Sequence, residues 1–150
     1  MTTSDFTVDE FVDRLDQWSS DVLWGDHTEF LERCKVPVAE MFTEIFSTAV
    51  DSTGNGWAPH APSTIAAHGP HPLLILTSAL YQSLTDGNAH HYEMVSDNSL
   101  EWGTTVVYAG TQNYGNRNIP AREFMYINQS GADAIENLAG DYLSELVTQF

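Results

Sequence analysis

The sequence predicts an α+β fold, with helices at both ends of the chain and a small antiparallel sheet between them. Apolar residues recur at helical spacing in the first third of the chain and again after Ser130. Two short segments between residues 90 and 104 alternate apolar and polar side chains, which is typical of a hairpin. Strands and helices do not alternate along the chain, so a parallel βαβ architecture is excluded.

The first third of the chain predicts two helices. Thr7 and Glu10 form a capping-box pattern at the start of the first helix. Its apolar residues at helical spacing are Val8, Phe11, Val12, Leu15 and Trp18. The second helix begins near His27, and Pro37 within it predicts either a kink or a division into two helices. The glycine-containing segment 51–56 predicts its end, because glycine readily adopts the left-handed conformation.

Residues 57–72 predict a long central loop. This segment contains four prolines, which remove backbone donors and disfavour both helix and central strand. Pro72 can occupy the first turn of a short helix over residues 73–84, whose leucines recur at helical spacing.

The second half predicts a hairpin and a C-terminal helix. Strands are expected near residues 90–96 and 100–104, joined by a turn at Asp97 and Asn98. Residues 106–113 are compatible with either strand or helix, and residues 124–127 predict a last short strand.

The length of 150 residues suits one domain, with a helical part at about 7–50 and an α+β core at about 51–150. No segment approaches the roughly 20 apolar residues that span a bilayer, so no membrane association is expected. The first residues lack the pattern of a secretory signal. Cys34 is the only cysteine, which excludes an intrachain disulfide. We therefore expect folding in a reducing cytoplasm.

The charge of the chain is strongly negative. It has 21 acidic residues against 5 basic ones, a formal net charge of -16. This argues against binding to a bare phosphate backbone, because that affinity comes from Lys and Arg. The charge fits a protein that faces a basic partner, a channel wall that repels nucleic acid, or a protein that works in high salt. Lys35 is the only lysine, which suggests a halophile, but an ordinary acidic cytoplasmic protein explains the composition equally well.

Few residues suggest catalysis. His60, His68 and His71 lie in the proline-rich segment, where with a carboxylate they would form a zinc site for a hydrolase. The simpler interpretation is that they are polar loop residues, and Gly69 and Pro70 forbid a helix through the last two. Cys34 lies in an apolar helical stripe, where a thiol usually acts as a small hydrophobe. The sequence contains neither a phosphate-binding loop nor a nucleophile elbow.

Arg122 is the most informative polar residue, because it is one of few cations and lies between Pro120 and Phe124. An arginine held in this way can form a two-pronged bond to a carboxylate or to backbone carbonyls. We expect it to pin the 111–119 loop or a neighbouring subunit, with an anion site as the less favoured alternative.

Three tryptophans are expected to anchor parts of the chain by packing their rings in a core or an interface. Trp57 follows the helix end and precedes the prolines, so we expect it to fix the loop onto the core. Trp18 and Trp24 lie near the predicted helix junction, where they suit a core and a subunit interface equally well.

Several short motifs occur in a fixed order from about Asp51 to the C-terminus. The first comprises Trp57, Pro59 and Thr64, and the second is Thr77-Ser78-Ala79-Leu80. Further along the chain are Gly103-Thr104, Tyr108-Ala109, Gln112 to Gly115, and Ile119-Pro120-Ala121-Arg122-Glu123-Phe124. With this order the chain resembles the phage virion morphogenesis family, also called tail-completion or neck proteins. It departs from the family pattern at Ser78, where glycine is usual, at Thr111, where histidine is expected, and at Glu123, where proline is common.

The resemblance implies a small α+β subunit without enzymatic activity, metal or cofactor. It implies a homo-oligomeric ring of about six or twelve copies, made in the host cytoplasm and located at the head-tail junction or tail end of a virion. Its partners would be head-tail adaptor or portal-side proteins and tail terminator or tail-tube proteins, with genomic DNA passing without sticking. The remaining alternatives are a metal-dependent hydrolase and an acidic cytoplasmic adaptor that binds a basic partner. The structural or interface residues implied are Trp57, Thr64, Gly103, Thr104, Tyr108, Gln112, Gly115, Pro120, Arg122 and Phe124.

Overall fold

The computed structural model describes residues 8–148 and confirms the α+β fold class. The helices within this range are α1 (Val8–Trp24), α2 (Thr28–Thr48), α3 (Pro62–His68), α4 (Ala79–Thr85), α5 (Ala109–Tyr114) and α6 (Gln129–Thr148). The strands are β1 (His91–Val95) and β2 (Leu100–Thr104). Within residues 8–148, no helix has both the length and the apolarity required to cross a membrane.

The two N-terminal helices form as the sequence predicts. Pro37 lies inside α2 without dividing it. The expected end of this helix at residues 51–56 is wrong, because α2 ends at Thr48 and Ala49 adopts the left-handed conformation with φ of 51°. The N–H of Ala49 donates to the carbonyl of Ile45 at 2.9 Å, which caps the helix without a glycine. Thr7 of the predicted capping box lies outside the described residues.

The segment after α2 folds back on itself and delivers Trp57 to the core. Val50 pairs with Gly56 in an isolated antiparallel bridge, and the N–H of Trp57 donates to the carbonyl of Ala49 at 2.7 Å. Within this turn the carboxylate of Asp51 accepts hydrogen bonds from Thr53 and Asn55, which lower its pKa.

The predicted structure of residues 57–84 is partly wrong. The central segment contains helix α3, which begins at Pro62 because proline is tolerated in a first helical turn. It ends at His68, as Gly69 and Pro70 require. The predicted helix over 73–84 begins only at Ala79. Leu74 and Ser78 have φ of 62° and 61°, which breaks the helix, while Leu73, Leu74 and Ile75 still pack on the core from an irregular segment.

The hairpin forms where the sequence predicts it. Strands β1 and β2 pair antiparallel, with Tyr92 opposite Gly103 and Val95 opposite Leu100. The hydroxyl of Ser83 on α4 donates to Thr104 Oγ1 at 2.7 Å, and the indole of Trp102 donates to the carbonyl of Leu84 at 3.1 Å. On β1, His91 Nδ1 lies 2.6 Å from the carbonyl of Ser83, so both strands of the sheet are attached to α4.

The segment after the hairpin differs from the expected last strand. Residues 109–114 form α5, which resolves the ambiguity at 106–113 in favour of a helix. Residues 124–127 form no strand. The N–H groups of Phe124 and Met125 both donate to the side-chain oxygen of Asn113, each at 2.9 Å, so a side chain replaces a strand partner.

The core is built on α2. Phe46 contacts the rings of Trp57, Tyr81 and Phe124, with centroid distances of 5.7, 5.5 and 5.7 Å. The other members of the buried cluster are Met41, Phe42, Ile45, Leu80, Leu84, Val106 and Ala109. Helix α6 packs against α2, where a Cβ on Gly131 would lie only 2.5 Å from Met41 Sδ. The glycine therefore allows the close approach of these two helices.

Candidate functional site

Arg122 lies at the centre of the most connected polar arrangement among the described residues. Its side chain is only 7% exposed. Nε donates to the carbonyl of Ala58 at 2.8 Å, and Nη2 donates to the carbonyl of Pro59 at 3.0 Å. Nη1 lies 3.4 Å from Gln112 Oε1, and the backbone N–H of Arg122 donates to the Gln112 carbonyl at 2.8 Å. We call Ala58, Pro59, Gln112 and Arg122 the arginine clamp.

Of the two kinds of partner expected for Arg122, a carboxylate or backbone carbonyls, the structure shows backbone carbonyls, and the contact with Gln112 reaches the 111–119 segment as expected. The clamp joins the segment after Trp57 to α5, although these parts of the chain are more than 50 residues apart. The sequence could not specify which carbonyls would be bound, because that depends on how the two segments meet in space.

The charge of Arg122 has no carboxylate partner within residues 8–148. All three side-chain hydrogen bonds go to uncharged oxygen atoms. Burial lowers the pKa of this guanidinium, but an arginine keeps its charge in proteins. The group also carries more N–H donors than these three bonds use. Among the described residues, the buried positive charge of Arg122 is therefore stabilised only by the dipoles of carbonyl and amide groups.

The hydrophobic neighbours of the clamp are two motif residues. Trp57 is buried, which confirms its predicted place in the core, and its indole N–H donates to the carbonyl of Glu123 at 2.8 Å. Phe124 is fully buried against Phe46. The carboxylate of Glu123 accepts hydrogen bonds from the N–H and hydroxyl of Ser52, so the chain on either side of Arg122 is fixed to the segment after α2.

Gly115 is required by the local geometry. It has φ of 71°, and a Cβ at this position would lie 2.6 Å from the N of Ala121 and 2.8 Å from the O of Ile119. No rotamer can relieve a contact with backbone, so only glycine allows residues 116–121 to fold against the end of α5.

Asn113 is a structural residue that the sequence analysis missed. Its buried side chain accepts the two backbone N–H groups of the Phe124 segment described above. Its only sequence signal is its place between Gln112 and Gly115, which is too weak to predict such a role.

A cleft with a volume of about 490 Å³ lies against the clamp. His60, His68 and His71 all line it. Other motif residues in its wall are Thr64, Tyr108, Gln112, Pro120 and Arg122. The rings of His60 and His71 are tilted by 39° with centroids 4.2 Å apart, and His68 lies edge-on to His71 at 6.5 Å.

Two of the cleft histidines, His60 and His71, form hydrogen bonds to backbone carbonyls. His71 Nδ1 lies 2.9 Å from the Gly69 carbonyl, and His60 Nε2 lies 3.2 Å from the His71 carbonyl. Because a carbonyl oxygen only accepts, these two ring nitrogens are donors, and a metal would have to bind the other nitrogen of each ring, Nδ1 of His60 or Nε2 of His71. Across the described part of the chain, no three His, Cys, Asp or Glu side chains are placed to hold one metal ion. The chain brings the proposed zinc ligands together without forming a zinc-binding geometry.

Two of the motif residues lie apart from both the clamp and the cleft. Gly103 and Thr104 are on β2, where Thr104 contacts Ser83. A Cβ at Gly103 would meet only the Tyr92 ring at 3.9 Å, so sterics do not require glycine there. The motif residues thus fall into two groups, one at the clamp and the cleft and the other on the hairpin.

Large apolar side chains lie exposed on the surface. Val107, just before α5, is 97% exposed, and Tyr114, at its end, is 80% exposed. Trp24 is 82% exposed, whereas Trp18 is half-buried. Cys34 is buried as predicted, and burial raises the pKa of its thiol, which disfavours the reactive thiolate.

The chain matches no family model, no curated protein and no solved structure. Its function is therefore inferred from its own side chains. The clamp can fix two loops, and the cleft can hold a polar group.

Proposed function

We propose that this chain is a structural subunit of a tailed-virus particle. It would act as a tail-completion or neck-ring component that joins head and tail during assembly without making or breaking covalent bonds. The observation that carries this proposal is the convergence of the resembling motifs on the arginine clamp. The motifs of Trp57, Gln112 to Gly115 and Ile119 to Phe124 are separate in sequence, yet hydrogen bonds join them in one unit.

Backbone conformation at two motif positions supports the same proposal. Gly115, which aligns with the glycine of a family motif, has a positive φ and no room for a side chain. Ser78 stands where the family usually has glycine, and its φ is 61°. This left-handed conformation is one that glycine adopts readily and serine adopts at a cost. Ser78 therefore departs from the family in residue type while keeping the backbone that glycine favours.

Exposed apolar groups support an assembly role. Val107, Tyr114 and Trp24 expose most of their side chains to solvent. Large apolar and aromatic side chains are typical of the centres of protein interfaces. Burial against neighbouring subunits would stabilise these groups in the finished particle.

The net charge of -16 supports a position beside a DNA passage. A wall of carboxylates repels phosphate along its whole length, so DNA would slide without adhering.

Replacing Arg122 with Ala tests the proposal in infected cells. The change leaves the carbonyls of Ala58 and Pro59 without a donor, so we expect a loss of at least about 2 kcal/mol in folding free energy. Particles made with this variant should accumulate as separate heads and tails. Arg117→Ala removes an exposed arginine of the same loop and should leave the infectious yield unchanged.

A second variant separates assembly from folding. Val107→Asp changes a fully exposed side chain, so its melting temperature should stay close to that of the unchanged chain. A charge placed in an apolar contact should still block the joining of heads to tails. Normal infectious yield from both Arg122→Ala and Val107→Asp would refute the proposed role.

Two measurements on the purified chain address the remaining alternatives. Stoichiometric zinc bound to the protein, with hydrolytic turnover that is lost in His60→Ala, would favour the hydrolase. A stable monomer that binds only a basic host protein would favour the adaptor. The neck-ring proposal predicts a large symmetric oligomer by light scattering, or assembly when a head-side or tail-side partner is added.

A further inference from the structure

The cleft beside the arginine clamp differs in charge from the rest of the chain. The sequence contains 21 acidic residues, yet none of the described residues that line the cleft is Asp or Glu. The wall instead contains Arg122 and three histidines. On a chain with a net charge of -16, this is a concave surface suited to a negatively charged group.

The polar groups of the cleft favour a carboxylate. Arg122 is buried, donates only to uncharged oxygens and retains unused N–H donors, so a carboxylate would supply the missing counter-charge. Hydroxyl donors are available on Thr64, Thr77 and Tyr108, which line the same wall. These groups can hold the second oxygen or an adjacent polar atom.

Exposed apolar groups in the cleft wall point to a polypeptide ligand and not to a small free anion. Leu76 and Tyr108 line the cleft and remain 52% and 42% exposed. A small anion would leave these side chains in water, whereas a peptide that carries the carboxylate would cover them. Arginine and tyrosine with an apolar neighbour are also the residue types enriched at energetically important contacts.

We propose that this cleft binds an acidic segment of a second copy of the chain, with a carboxylate directed towards Arg122. This inference rests on the proposed ring. Copies with a charge of -16 repel one another, so a contact in which an acidic surface of one copy meets a surface without acidic residues on the next is favoured over a contact between two acidic surfaces. In a ring each copy contacts the next through two different surfaces, and the cleft and the acidic exterior form such a pair.

Glutamate substitution of a cleft histidine tests the site without removing the clamp. His68 is exposed at the end of α3 and lines the cleft, so His68→Glu places a competing carboxylate inside it. The matched control is His90→Glu, since His90 is also exposed but lies outside the cleft. Both variants have the same residue change and the same net charge.

Association of the purified chains is measured by light scattering over a range of protein concentrations. We expect His68→Glu to weaken association at least about tenfold relative to His90→Glu, because like charges in a contact are strongly unfavourable. Circular dichroism should show equal melting temperatures for the two variants. Equal association of the two variants, with the ring intact, would overturn the cleft assignment while leaving the proposed function in place.

A peptide experiment separates a failure of the cleft from a failure of the ring. An acetylated oligo-aspartate peptide is added to the labelled chain, with oligo-asparagine of equal length as the neutral control. We expect only the acidic peptide to shift the NMR signals of His68 and His71. If it does so while the chain never assembles, the carboxylate site stands and the second copy as its occupant is refuted. If inorganic phosphate shifts these signals and the acidic peptide does not, the carboxylate assignment fails.

Discussion

Two regions of the molecule bury their side chains to very different degrees. The first region, which we call the clamp region, comprises the arginine clamp together with the middle of α2, helix α4 and the segments around Trp57 and Phe124. It contains all the side chains that are fully buried among the described residues. The terminal helices α1 and α6 contain apolar stripes, yet Gly131 is the only buried residue of α6, and the described side chains of α1 are half-buried or exposed.

We infer that the clamp region provides most of the stability of the isolated chain, whereas the exposed apolar side chains of α1 and α6 are available for contacts with neighbouring subunits. The clamp region has aromatic contacts around Phe46 and hydrogen bonds between distant segments, so it should fold without partners. Leu15 and Val147 on the terminal helices remain 40% and 54% exposed, so burial by neighbours would add stabilisation that the isolated chain lacks. Matched substitutions in the two regions should therefore have unequal effects on the isolated chain.

The largest expected difference is between two tryptophans. Trp57→Ala removes a buried ring and its hydrogen bond to Glu123, so we expect it to lower the free energy of unfolding by about 3–5 kcal/mol. Trp24→Ala removes a side chain that is 82% exposed and should change the free energy of unfolding by less than about 0.5 kcal/mol. Urea denaturation of both variants measures the difference, and equal losses would remove the distinction between the regions.

A pair of leucines tests the same distinction on helices. Leu80 on α4 is 1% exposed, and Leu80→Ala should cost about 2–5 kcal/mol. Leu143 on α6 is 43% exposed, and Leu143→Ala should cost roughly 1 kcal/mol or less. If Leu143→Ala were as costly as Leu80→Ala in thermal denaturation, α6 would belong to the stable core of the isolated chain.

Two glycines should respond in opposite directions. Gly115→Ala forces a Cβ against the backbone of residues 119 and 121 at a positive φ, so a loss of about 2 kcal/mol or more is expected. Gly140 lies within α6 with open space around it, and Gly140→Ala should raise stability by about 0.5–1 kcal/mol. A neutral Gly115→Ala would show that residues 115–121 do not form the tight contact described above.

The smallest effects are expected at two serines. Ser78→Gly relieves a left-handed conformation in the clamp region and should raise the melting temperature slightly, by the equivalent of about 1 kcal/mol or less. Ser144→Gly places glycine inside α6 and should lower the melting temperature by a similar amount. Calorimetry of the two variants checks the opposite signs, and a destabilising Ser78→Gly would weaken the link to the family glycine.

The sequence predicted those parts of the fold that depend on local pattern. Helices α1, α2 and α6 follow apolar periodicity, and the hairpin follows alternation around Asp97 and Asn98. The sequence does not predict helix α3, because four prolines in its segment disfavour a helix, although Pro62 begins one. The leucines of 73–78 imitate a helical stripe, but the segment has positive φ angles at Leu74 and Ser78, and only Leu73 and Leu74 of these leucines pack on the core.

The candidate site was predictable only in part. The residue type of Arg122 and its flanking Pro120 and Phe124 indicated a bond to a carboxylate or to backbone carbonyls, and the structure shows the carbonyls. The identity of those carbonyls and the role of Asn113 depend on contacts between distant segments, and no local pattern encodes them. The cleft histidines were visible in the sequence, but the absence of acidic residues from the cleft wall emerges only when α3 and α5 are placed together.

Electron cryomicroscopy of virus particles purified from cells that produce this chain would test the proposed role most directly. We predict a closed ring of this chain between the head and the tail, or at the tail end, with Val107 or Trp24 covered by neighbouring subunits. Finished particles and assembly intermediates that contain no copy of the chain would contradict the account.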